Sequence, residues 1–194
     1  MGWDTAKTKR LLLDAAVDEF AAHGPEGARI DRIAAAAGVN KERIYPYFGG
    51  KRQLFDAVVQ RELEQLAAAV PMAEDDGYPV DLPEYAGRVF DYHLAHPHLL
   101  RLLQWEALCG EPGAEVAGQE RRAAYYAQKV AALGGAGGSG AQPRPEDLLY
   151  AVVALAGWQF AAPQLARMIL GGTAQEDPAA RRAAVVDLVR RLVR

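Results

Sequence analysis

The chain has 194 residues, 51% apolar and 24% charged, a balance that excludes disordered and fibrous classes and supplies a core for one or two domains. Its 22 Lys and Arg against 25 Asp and Glu give a formal charge of −3, which on its face argues against a nucleic-acid protein. The one cysteine, Cys109, excludes an internal disulfide framework and a cysteine-clustered zinc module, and fits a reducing cytoplasm.

Charge is unevenly distributed. Residues 1–61 hold 10 Lys and Arg against 8 Asp and Glu, net +2, and residues 62–194 hold 12 against 17, net −5. The whole-chain figure therefore averages two different surfaces. Met1 to Lys9 carry Trp3, Asp4 and two lysines with no apolar run behind them, so no secretory signal is expected. The longest apolar stretch, Ala151 to Ala162, is interrupted by Gln159 and falls well short of the roughly 20 residues of a membrane span.

Alanine-rich segments with helical spacing dominate, and no convincing run of alternating β-branched residues is present. Leu13, Ala16, Val17 and Phe20 stand at i, i+3, i+4 and i+7, the stripe of a first helix from Asp4 or Thr5 that stops before His23-Gly24-Pro25. Ile30–Ala37 and Lys41–Phe48 are short helices, the first ended by Gly38, the second capped by Asn40 and ended by Gly49-Gly50. Lys51–Val70 predicts a long fourth helix ended by Pro71. An acidic loop at Glu74–Gly77 leads to helices at about Pro83–His96, Leu99–Cys109 and Glu115–Leu133. The glycine-rich run 134–140 has no preceding strand and no following Gly-Lys-Ser/Thr, so it reads as a linker rather than a phosphate loop.

Glu146–Leu170 predicts a helix that is apolar nearly all round and must be covered on several sides, and Pro178–Arg194 predicts a last amphipathic helix. Together these two supply a two-fold interface, with Leu148, Val152 and Leu155 from one and Val185, Leu188, Val189 and Leu192 from the other.

Two short helices joined by Ala37-Gly38-Val39-Asn40 meet the requirements of a helix-turn-helix. Gly38 permits the sharp turn, Val39 is buried under the corner, and Asn40 caps the second helix. Ile44 and Phe48 hold that helix to the core, leaving Lys41, Glu42, Arg43, Tyr45 and Tyr47 to face DNA.

Residues from about Thr8 to Arg61 resemble the DNA-binding domain of the TetR (tetracycline-repressor) family of bacterial transcription regulators. The resemblance lies in Leu13-Asp14-Ala15-Ala16 and Phe20, Ile33-Ala34, Ala37-Gly38-Val39, Ile44-Tyr45, Tyr47-Phe48, and Lys51 with Leu54. It implies an all-α fold: an N-terminal three-helix helix-turn-helix domain (1–50) joined through the long fourth helix to a C-terminal helical ligand-binding and dimerisation domain (51–194). It implies Tyr47 and Lys51 as phosphate contacts and places Lys41, Glu42 and Arg43 at the major groove. Two positions depart from the family pattern. Ala28 and Arg29 stand where a Ser or Thr cap is usual, with Arg29 substituting as a charge, and Pro46 lies inside the recognition helix, which should tighten or end there.

Aromatic residues of the second half serve either as core or as a pocket. The resemblance favours a pocket lined by Tyr92, Trp105, Tyr126 and Trp158, with His93 and His96 as polar groups within it. His93, His96 and His98 cannot share one helical face and have no completing carboxylate, so no metal site is expected. No cofactor, nucleotide loop or catalytic constellation is read from the chain. The expected function is a cytoplasmic, homodimeric regulator, in most cases a repressor, with double-stranded operator DNA and a small-molecule effector as partners and no membrane. The alternative is a small-molecule binding protein whose degenerate helix-turn-helix no longer binds DNA.

Overall fold

The computed structural model describes residues 4–72, 80–111, 113–134, 143–171 and 177–194. The expected acidic loop at 74–77 and the glycine run beyond Gly134 lie outside them. The described residues form ten α-helices and one 3-10 turn, with no strand among them. They cluster into two compact units, residues 1–65 with 98–117, and residues 66–97 with 118–194, where the sequence reading divides the chain between 50 and 51.

The first unit contains α1 (Thr5–Gly27), α2 (Ile30–Ala37), the 3-10 turn Lys41–Arg43, α3 (Ile44–Phe48), α4 (Lys51–Ala69) as far as Gln65, and α6 (His98–Cys109). Asp4 caps α1 by accepting from the Lys7 N–H at 3.0 Å. Leu12, Ala16, Phe20, Ile33, Ile44, Leu54, Phe55, Val58, Val59 and Leu102 form a fully or nearly fully buried core, with Phe20 and Phe55 edge to face at 5.2 Å. Each large apolar side chain so buried contributes about 1.5–3 kcal/mol.

Helix α1 does not stop before His23 as expected but is interrupted at Gly24, which adopts φ 66° and ψ 174°, and a further turn then carries Pro25 to Gly27. Pro25 has no N–H to give the Ala21 carbonyl. That carbonyl instead accepts from Arg101 Nε at 2.9 Å and Trp105 Nε1 at 3.3 Å, so α6 completes the end of α1. Gly24 is required twice over, by its backbone conformation and because a Cβ there would lie 2.7 Å from the Trp105 ring.

The second unit contains α5 (Leu82–Ala95), α7 (Gln119–Gly134), α8 (Pro145–Ala161), α9 (Pro163–Leu170) and α10 (Pro178–Leu192). Helices α5, α8 and α10 pack together around Val89, Phe90, Leu149, Val152, Ala156, Val185 and Val189. Two expected helices are shorter than the apolar pattern indicates. Gly113 and Gly118 take positive φ, so α7 begins at Gln119 rather than Glu115. The single helix expected at 146–170 is broken at Ala162, whose φ of −128° and ψ of 65° are dictated by the following Pro163, and α8 and α9 are bent by 97°. No single described helix is long and apolar enough to cross a membrane.

Candidate nucleic-acid interface

The turn between α2 and α3 is built from local signals. Gly38 closes α2 in the left-handed region at φ 63°, and the Val39 N–H returns to the Ala34 carbonyl at 3.0 Å. Asn40 Oδ1 accepts from the Glu42 N–H at 2.9 Å and caps the next element. That element opens as a 3-10 turn and becomes α-helical at Ile44, so it tightens ahead of Pro46 and then runs on to Phe48. Pro46 thereby falls in the first turn of α3, where its missing N–H is tolerated. Ile44 is fully buried and fixes the rotation of the element, leaving Lys41, Glu42, Arg43 and Tyr45 exposed, Tyr45 at 61%.

Other expected DNA contacts stand differently. Tyr47 is half-buried against the core, with the Lys9 ammonium 5.8 Å from its ring centre, a cation-π contact that brings basic α1 beside α3. Lys41 pairs with Asp31 at 2.9 Å, and this carboxylate raises the pKa of the lysine. The Lys51 ammonium donates to the carbonyls of Glu26 at 2.9 Å and Ala28 at 3.4 Å, tying the end of α1 to the start of α4. An ammonium has three protons, so one remains for a phosphate.

Arg29 occupies the N-cap of α2 and makes no side-chain cap, as the Ala28-Arg29 departure implies. Its N–H is taken instead by Glu19 Oε1 of α1 at 2.9 Å, and Arg32 and His23 lie 3.8 Å from the same carboxylate. The anchor for α2 therefore comes from the preceding helix.

Sequence reasoning missed Glu19, and it missed the pairing of α4 with α6. Glu62 is 2% exposed, accepts from Arg61 and lies 2.9 Å from His98 Nε2, while Arg61 also pairs with Asp14 at 2.7 Å. These partners hold the Glu62 carboxyl below its usual pKa although burial, the largest influence, acts in the opposite direction. The signal was available: Glu62 lies one turn beyond Val58 and Val59, on the buried face of α4.

Of the six expected pocket residues, Tyr92, His93 and His96 meet one another. Trp105 belongs to the first unit, where it is bound to Ala21, and the other five belong to the second. Tyr92 stacks on His96 at 4.2 Å, and Phe160 lies between Phe90 and His93, with ring centres 5.2 and 6.2 Å away. His93 is buried, and burial first and His96 second push its pKa down to about 4. Tyr126 meets Tyr125 at 5.4 Å, and Trp158 is 60% exposed. No cluster of three or more His, Cys, Asp or Glu with metal-binding geometry occurs among the described residues.

The expected dimer stripe also divides. Val152, Val185 and Val189 have no exposed surface and belong to the core of their own unit, because α5 lies against the inner faces of α8 and α10. Leu148 and Leu155 are half-buried. Leu188 and Leu192 are exposed, as are Tyr150 and Trp158 on α8 and Met168 and Ile169 on α9.

Comparison with known proteins bears on this arrangement. A family model described as bacterial regulatory proteins, tetR family, matches residues 12–58, and one described as a tetracyclin repressor-like C-terminal domain matches residues 81–191. The chain belongs to the TetR family of transcription regulators. The HTH-type transcriptional repressor SCO4008 of Streptomyces coelicolor is 45% identical over 174 residues, 87% of this chain and 86% of that protein. The putative transcriptional regulator SCO4942 from the same organism, known as a crystal structure, is 35% identical, with a TM-score of 0.78 over 96% of this chain and 98% of that one. The regulator RutR of Escherichia coli is 32% identical over 105 residues, 54% of this chain and 50% of its own length. The all-α fold with an N-terminal helix-turn-helix is that of the TetR family, and the chain is a DNA-binding transcription regulator.

Proposed function

We propose that this TetR-family regulator is a repressor that binds a palindromic operator as a homodimer, acts where the chromosome is, and releases DNA when an effector occupies its C-terminal unit. The observation that carries the reading is the Gly38–Asn40 turn, which presents Lys41, Glu42, Arg43 and Tyr45 to solvent on an element anchored by buried Ile44. Two such elements reading successive major grooves lie about 34–36 Å apart, so one protomer alone cannot read a palindrome. The second copy is assigned to the exposed apolar face of α8 and α10, around Tyr150, Trp158, Leu188 and Leu192. A repressor named as such, SCO4008, is 45% identical and supports the sign of regulation. An effector that binds the non-operator spacing better than the operator spacing shifts the population, whereas equal affinity shifts nothing.

A gel shift with DNA from upstream of the coding region, at several salt concentrations, tests this. Specific retardation, with two protomers per site and a steep salt dependence, is expected. Retention of no DNA by a folded protein overturns the reading in favour of a small-molecule binding protein with a silent helix-turn-helix.

A further inference from the structure

In the second unit, basic and phenolic side chains meet between α5 and α7. Tyr85 and Arg88 stand one turn apart on α5, and Arg122, Tyr125, Tyr126 and Lys129 recur at i, i+3, i+4 and i+7 on α7. Lys129 is only 7% exposed. Its ammonium donates to the Tyr85 hydroxyl at 2.7 Å and lies 4.6 Å from the ring centres of both Tyr85 and Tyr125. Among the described residues no carboxylate pairs with it, which is unusual for a buried lysine.

The surroundings disfavour its charge. Burial, followed by the positive charge of Arg88, pushes the Lys129 pKa down to about 8. The phenols around it are protonated, since burial raises the Tyr85 pKa strongly and that of Tyr125 to about 12. Tyr85 accepts from Lys129, and its own hydroxyl proton has no acceptor among the described residues. Lys129 and Tyr85 therefore offer a cationic N–H donor and a phenolic O–H donor side by side at ring faces, with no carboxylate on either among the described residues. An organic cation would be repelled by Lys129 and Arg88. A carboxylate would accept from both Lys129 and Tyr85 and relieve the repulsion between the two cations.

We propose that the α5–α7 cluster binds a planar organic anion, a carboxylate on a ring, with the oxygens on the Lys129 ammonium and the Tyr85 hydroxyl and the ring against Tyr125 and Tyr126. This rests on the reading that the C-terminal unit takes an effector, and it names the chemical class of that effector.

The test is a thermal-shift and calorimetric titration of the full chain with benzoate, salicylate and 4-hydroxybenzoate, against benzamide and benzyltrimethylammonium, at constant ionic strength. At least one carboxylate is expected to raise the melting temperature, and the amide and the ammonium compound are not. Affinity for that carboxylate should fall at least tenfold in Lys129→Met and several-fold in Tyr85→Phe, while Lys129→Arg retains most of it. Far-UV circular dichroism checks that each variant is folded. Absence of binding by all three carboxylates, equal binding by Lys129→Met, or tighter binding of the ammonium compound overturns the proposal. A gel shift on the same samples separates the two readings. A carboxylate that binds but leaves the DNA complex intact refutes its role as effector and leaves the anion site standing. A neutral or cationic compound that releases DNA, when no carboxylate binds, leaves the regulator standing and refutes the anion site.

Discussion

His93 makes the packing of α5 against α8 sensitive to acid in a way that can be isolated. It is 3% exposed, beside Tyr92 and Phe160, and its pKa is held down at about 4 by burial and by His96. In the unfolded chain a histidine titrates near pH 6.5. Between these values the unfolded state binds more protons than the folded one, so stability is complete above the window and is lost as pH falls through it. Linkage puts the loss at about 2 kcal/mol between pH 7.5 and pH 5, and at about 3 kcal/mol once pH is below 4. For a chain of this size, 1 kcal/mol moves the melting temperature by roughly 2–4 °C. His93→Leu removes the titrating ring, and with it an Nδ1 that is buried without a hydrogen-bond partner among the described residues. At pH 7.5 the variant should therefore melt close to wild type. Between pH 7.5 and pH 5 the wild type should lose about 4–8 °C more than the variant, as measured by calorimetry on both proteins. Glu62 and the other titrating groups are common to both chains and cancel in the comparison. An equal fall in the two proteins would refute the argument, because it would mean that His93 is as easily protonated folded as unfolded.

The other expected outcomes concern the first unit and the dimer. Gly24→Ala should destabilise by about 1–3 kcal/mol from backbone strain alone, with a further loss from the 2.7 Å approach to Trp105, and Trp105→Ala in the same chain should relieve only the latter in urea titrations. Glu62→Gln should lower stability by about 1–3 kcal/mol at neutral pH; because the Glu62 pKa lies below its usual value, this difference should vanish as acid protonates the wild-type carboxylate. Leu188→Asp should give folded monomers in sedimentation, whereas Val189→Asp should unfold the second unit, since Leu188 is 45% exposed and Val189 is fully buried. Asp31→Asn should free Lys41 for phosphate, raising DNA affinity and steepening the logarithmic salt slope by up to about one per protomer; an unchanged slope would show that Lys41 does not reach the backbone.

What could be read from the sequence divides by the distance over which its signals act. The turn at 38–40 was legible because a left-handed glycine and an Asn cap act over two to five residues, and the bonds they form are the ones those residues require. The support of α1 by α6 was not legible, because Arg101 and Trp105 reach Ala21 across 80 and 84 residues. Pro25 gave half of it: a proline four residues after Ala21 guarantees an orphan carbonyl but does not say which side chain satisfies it. The α8–α9 break was legible at Pro163 and was overridden by the apolar run on either side. The expected dimer stripe is divided by packing for a different reason. Periodicity finds the apolar face of α10, but that face is wide enough to have an inner line, Val185 and Val189, and an outer one, Leu188 and Leu192, and only packing assigns them.

The same distinction applies to charge. With only +2 on residues 1–61, the expected DNA contacts rest on the cations at 29, 41, 43 and 51. The partners of the two lysines are on view in the folded protein: Asp31 holds Lys41, and the carbonyls of Glu26 and Ala28 hold Lys51. These partners differ in kind. A carboxylate neutralises Lys41 and competes with phosphate, so a DNA contact by Lys41 would require that pair to be shared or broken. Carbonyls carry no net charge, so Lys51 keeps its full charge while its position is fixed at the start of α4. A fixed cation loses less side-chain entropy on meeting phosphate than a free one. Of the two, Lys51 is therefore the better placed to meet a phosphate, although it has more bonds to the protein than Lys41 has.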